Sequence, residues 1–97
     1  MDQISDEELA AIEARAVAAT AGPWEAFVEG RDHMSGDDFI RTGGMSDGAP
    51  DMYVSLAFPA RPGLVPAAAN DLDFIAAARQ DIPRLVAQIR QLRGDCL

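Results

Sequence analysis

Asp71-Leu-Asp-Phe-Ile-Ala-Ala-Ala-Arg-Gln-Asp-Ile-Pro-Arg-Leu-Val-Ala-Gln-Ile-Arg-Gln-Leu-Arg93 carries the clearest pattern in the chain. Its apolar residues recur at helical spacing in two groups, Phe74, Ile75 and Ala78, then a broad stripe of Ile82, Leu85, Val86, Ile89 and Leu92. Between them Gln80-Asp81-Ile82-Pro83 predicts a break, because proline lacks the N–H that an interior helical position donates yet is tolerated in a first turn. Asp81 would cap the second piece, and Asn70 is a good N-cap for the first. Arg84, Arg90 and Arg93 occupy the other faces, and Gly94 is a suitable terminator. The segment reads as a broken helix whose apolar side needs a cover.

The upstream segments offer part of that cover. Pro59, Pro62, Gly63 and Pro66 make a connector that is neither helix nor sheet interior. Before it, Met52-Tyr-Val-Ser-Leu-Ala-Phe58 alternates, with Met52, Val54, Leu56 and Phe58 sharing one face and Tyr53 at the flank. Asp38–Thr42 reads as a second short strand. Trp24–Gly30 reads as another, antiparallel to it, with Trp24, Ala26 and Val28 on one face and Phe27 on the other. Arg31–Gly36 is a turn or short loop, and Gly43–Pro50 is a loop on composition. At the start, Ser5-Asp-Glu-Glu8 is a capping box, so a helix begins here. Leu9, Ile12, Ala16 and Ala19 or Thr20 follow at helical spacing, with Val17 at the stripe's edge, and Gly22-Pro23 stops it.

Helix, two to three antiparallel strands and a broken helix, segregated in this order, predict an α+β domain with helices against one face of a small sheet. Ninety-seven residues make one domain, residues 1–97, and 48% apolar with 25% charged residues are globular averages. No apolar run reaches the roughly 18–20 residues that span a bilayer, and the N-terminus is acidic where a signal peptide would be basic. The expected location is the cytoplasm. The single cysteine, Cys96, cannot close an internal disulfide and reads as a thiol at a frayed end.

Charge is uneven. Residues 1–51 hold twelve carboxylates against three Arg, a net −9, whereas residues 52–97 hold four against five, a net +1. An overall −8 disfavours direct binding to nucleic acid or an anionic membrane and favours a protein partner with a basic surface. Seven carboxylates form the candidate partner-binding set: Glu25, Glu29, Asp32, Asp37, Asp38, Asp47 and Asp51.

The densest polar run is Arg31-Asp-His-Met-Ser-Gly-Asp-Asp38. A metal site would use His33 with Asp32, Asp37 or Asp38, but this is the only histidine and no His/Cys ligand spacing accompanies it. A hydrolytic site would pair Ser35 with His33, two residues apart in a tight turn, with no nucleophile elbow. A pocket for an anion would take donors from Arg31, His33 and Arg41, with Asp38 completing it. Turn chemistry alone accounts for Asp, Ser and Gly in such a run. Gly43-Gly44 lacks the register of a phosphate loop. The expected protein is not an enzyme and needs no cofactor or metal. Trp24, at the corner after Gly-Pro, reads as a core anchor.

Ala18-Ala-Thr-Ala-Gly-Pro-Trp24, taken with Asp73-Phe-Ile-Ala-Ala-Ala-Arg-Gln-Asp-Ile-Pro-Arg-Leu-Val-Ala-Gln-Ile-Arg-Gln-Leu92, resembles the Ead-like family of small temperate-phage early proteins and similar proteins of high-GC actinobacteria. The match covers the two ends, with Ala21 where the family usually has Pro and Arg79-Gln80-Asp81 where phage members often have Asn-Pro. The resemblance implies a phage-related, non-catalytic protein whose ends are scaffold and whose middle meets a partner. Two functions are expected on these grounds: an acidic protein that inhibits host machinery or confers immunity to a basic toxin, or a binder of a nucleotide or other small anion. The stripe at 82–92 is wider than one small sheet covers, which leaves a homodimer open.

Overall fold

Ser5 opens the first helix as its capping box requires. Its hydroxyl accepts the Glu8 N–H at 3.0 Å, and the Glu8 carboxylate accepts the Ser5 N–H at 2.9 Å. That backbone donor holds the Glu8 carboxyl below its usual range. The structure, a computed structural model, describes residues 3–34, 36–43, 50–60 and 62–94. Helix α1 spans Asp6–Ala18 and ends before Gly22-Pro23, because the chain turns extended at Ala19. The Thr20 carbonyl that follows accepts from Arg79 Nε at 2.8 Å and Trp24 Nε1 at 3.2 Å.

Strands β1 (Glu25–Phe27), β2 (Phe39–Arg41) and β3 (Asp51–Met52) form an antiparallel sheet in that order. Glu25 lies opposite Arg41, Ala26 opposite Ile40, and Phe27 opposite Phe39. On the other side of β2, Ile40 faces Met52 and Arg41 faces Asp51. The alternating run Met52–Phe58 does not stay one strand. It leaves the sheet after Met52 and re-forms as β4 (Ser55–Ala57), which pairs with β5 (Leu64–Pro66) in a separate two-stranded ribbon. Met52 and Val54 pack on the core, whereas Leu56 and Phe58 are exposed. Pro66 is compatible with β5 because both strands of such a ribbon are edges. Among the described residues the ribbon approaches no other helix or strand. The Ala67 N–H donates to the Val54 carbonyl at 3.0 Å and closes its base.

Helix α2 runs unbroken over Ala69–Leu92. The expected break at Gln80–Pro83 is absent, with Pro83 inside the helix, and neither proposed cap is one. The N-cap is Ala68, Asn70 lies in the first turn, and the Asp81 carboxylate stands 4.0 Å from Arg84. An interior proline costs about 3 kcal/mol. Burial on both sides of it offsets that cost: Leu72 and Ala76 are buried before Pro83, and Val86 after it.

The unbroken helix acts as a spine. Its first half packs on β1 and β2, where Ile40, Ala67, Leu72 and Ala76 form a buried cluster flanked by Trp24, Ala26, Val28, Met52, Val54 and Ile75. The second half carries α1, antiparallel, with Arg90 2.7 Å from Glu13 and Arg93 2.8 Å from Asp6. The α+β class, one sheet face under a helix, is as expected. Part of the helix's apolar side lies open: Phe74 of the first group and Leu85 and Leu92 of the stripe are 73%, 56% and 78% exposed. No helix among the described residues is long and apolar enough to cross a membrane.

Candidate functional site

Register decides which side chains meet on the far side of the sheet. Residues directly opposite one another share a face, and neighbours along a strand alternate. Ala26, Ile40 and Met52 point to α2, so Phe27, Phe39, Glu25, Arg41 and Asp51 point away from it. Phe27 and Phe39 stack with centroids 5.2 Å apart and planes 10° apart. Tyr53, 61% exposed, reaches the Phe39 ring at 5.8 Å, and the His33 ring lies 5.3 Å from it. The Arg41 guanidinium carbon sits 4.5 Å above the centre of the Phe27 ring. A chain of contacts therefore runs Tyr53, Phe39, Phe27, Arg41, with Arg41 between its register partners Glu25 and Asp51.

The neighbouring loop is built by its own polar residues. Asp32 accepts from the Val28 N–H and from Arg31 Nε, both at 2.9 Å. The backbone bond first, and Arg31 after it, hold the Asp32 carboxyl below its usual range. Gly30, at φ 84°, lets the chain turn back so that its N–H meets the His33 carbonyl at 2.8 Å. Arg31 then reaches α2, where both terminal nitrogens meet the Asp73 carboxylate at 2.9 Å. This fork raises the Arg31 pKa and lowers that of Asp73. Asp38 accepts the Glu29 N–H at 2.8 Å and closes the loop onto β2.

The candidate residues thus divide by task. Arg31, Asp32 and Asp38 are engaged in shaping the loop and fastening it to α2. Glu25, Glu29, Asp37 and Asp51 are exposed around the sheet. His33 and Arg41 both stand on the aromatic face, while Arg31 is directed to Asp73. A small cavity of about 230 Å³ lies between Asp37, Asp38, Tyr53, Ser55 and Pro66. Asp47, Ser35, Gly44 and Cys96 fall outside the described residues. Among the described residues no three His, Cys, Asp or Glu side chains are grouped to hold a metal ion.

The Phe27–Phe39 stack and Asp73 had no sequence signal of their own. Alternation placed Phe27 opposite the core face, but its partner follows only from the register. Asp73, in the helix signature, gave no hint of a partner 42 positions away.

A flat π-surface attracts cations through the negative faces of its rings, and carboxylates around it reinforce that preference. Comparison of the chain with family models, with curated proteins and with solved structures finds no match.

Proposed function

We propose that this chain is a small, acidic, non-catalytic binding protein that docks a partner protein's basic surface on the outer face of its three-stranded sheet. The observation that carries the reading is Arg41 over Phe27, 4.5 Å from the ring centre. The protein's own cation already occupies one end of the stack, and Tyr53 at the other end is exposed with no cation over it among the described residues. Glu25, Glu29, Asp37 and Asp51 supply the surrounding negative potential, and the net charge of −8 extends it beyond contact range. The resemblance of the two ends to phage early proteins supports a mobile-element origin and a partner among host or toxin proteins.

Immobilised protein tests this against lysate of a high-GC host. A stoichiometric basic protein should be retained at low salt, released at about 1 M salt, where the screening length falls to about 3 Å, and lost with Tyr53→Ala. Equal retention by wild type and Tyr53→Ala would contradict the assignment to this face.

A further inference from the structure

The two helices leave a second surface that the docking face does not use. Between α1 and the middle of α2 lies an open groove of about 480 Å³, floored by Ile12, Ala16, Ala19, Ile75, Ala78 and Ile82. Three of these are alanines, and that is why the groove exists: leucines in their place would close it. Trp24 walls one side, its indole N–H turned to the Thr20 carbonyl. The volume falls within the roughly 300–1,000 Å³ of small-molecule sites.

The lining has a charge opposite to that of the protein. Its two ionisable residues among those described are Arg15 and Arg79, with no carboxylate between them. Arg15 makes no ion pair among the described residues. Arg79 donates Nε to Thr20, which fixes the plane of its guanidinium at the groove. Five other arginines are each held against a carboxylate or a ring: Arg31, Arg41, Arg84, Arg90 and Arg93. An apolar trough flanked by two forked cations fits a molecule with an apolar body and one anionic head.

From this juxtaposition we infer that the groove between α1 and α2 binds an amphipathic anion of the acyl carboxylate class, with its chain along Ala16, Ala19 and Ala78 and its head on Arg15 and Arg79. A second copy of the chain is a poorer occupant. Each copy carries −8 overall, and pairing this face with itself would oppose Arg15 and Arg79 to the same cations.

Trp24 is the sole tryptophan and reports on the groove. Its fluorescence is followed while decanoate, decanol or decyltrimethylammonium is added below the micelle threshold, with sedimentation run in parallel. Decanoate should give a saturable change at concentrations up to about 1 mM, and decyltrimethylammonium none. Arg15→Gln should weaken decanoate at least about tenfold while leaving decanol unchanged. Ala16→Leu should abolish both responses. If Ala16→Leu lowers helicity, the exposed Arg15→Gln variant carries the test. No saturable response to decanoate, an equal response to the cationic amphiphile, or a signal that tracks dimer dissociation would each overturn the inference. None of these outcomes bears on the aromatic face of the sheet.

Discussion

Gln80 grips Trp24 with both ends of its side-chain amide. Its Oε1 accepts the Trp24 N–H at 2.7 Å, and its Nε2 donates to the Trp24 carbonyl at 3.1 Å and to the Ala76 carbonyl at 3.1 Å. The Gly22-Pro23-Trp24 corner is thereby fixed to the middle of α2, and β1 starts from a defined place. Arg79 adds its bond to Thr20 from the neighbouring position.

Removing this grip strands two half-buried backbone groups. Gln80→Ala should cost about 1–3 kcal/mol in chemical denaturation, whereas the exposed Gln91→Ala should stay within about 0.5 kcal/mol. Gln80→Glu keeps an acceptor for the Trp24 N–H but loses both donated bonds, so it should fall between wild type and Gln80→Ala near neutral pH.

Pro83 interrupts a helix that its neighbours hold together. Pro83→Ala restores an N–H and should raise stability by up to about 3 kcal/mol, reduced by the contacts its half-buried ring makes. A denaturation midpoint lowered by the change would show that the contacts of the ring outweigh the missing N–H.

The buried cluster is small, so a single large-to-small change inside it should be severe. Ile40→Ala is expected to cost about 2–5 kcal/mol, a large share of the roughly 5–15 kcal/mol typical of a domain. Leu64→Ser on the ribbon, 71% exposed in the wild type, should leave the midpoint within about 0.5 kcal/mol.

Acid should loosen the junction between the 31–38 loop and α2. Asp73 and Asp32 have folded pKa values below the unfolded value of about 3.9. Their contribution is therefore complete above that pH and is lost as pH falls through the depressed folded values. Glu8 follows the same sign. In Asp73→Asn the acid limb of the stability curve should flatten, and an NMR titration should place the wild-type Asp73 carboxyl below its usual range.

What the residues disclosed and what they hid have a common physical origin. The capping box at Ser5 and Glu8, the alternation of Trp24, Ala26 and Val28, and the helical stripe of α2 depend on local periodicity, which one segment carries alone. At Pro83 local propensity signals a stop, whereas burial of Leu72, Ala76 and Val86 on either side decides the outcome. The run Met52–Phe58 alternates throughout, yet the core beneath it ends at Val54, so the strand leaves the sheet. The candidate carboxylates were recognisable as a charge excess. Which of them are spent on backbone N–H groups, as Asp32 and Asp38 are, depends on loop geometry that no periodicity encodes.

The proposed role of the Tyr53–Phe39–Phe27 face is to receive a partner's cationic side chains. Its most direct measurement is a two-dimensional amide NMR titration of the labelled protein with an arginine-rich peptide. Shifts should concentrate in β1, β2, β3 and Tyr53, be suppressed in Phe39→Ala and weaken with salt. Shifts centred instead on the acidic first turn of α1, or undiminished in Phe39→Ala, would contradict it.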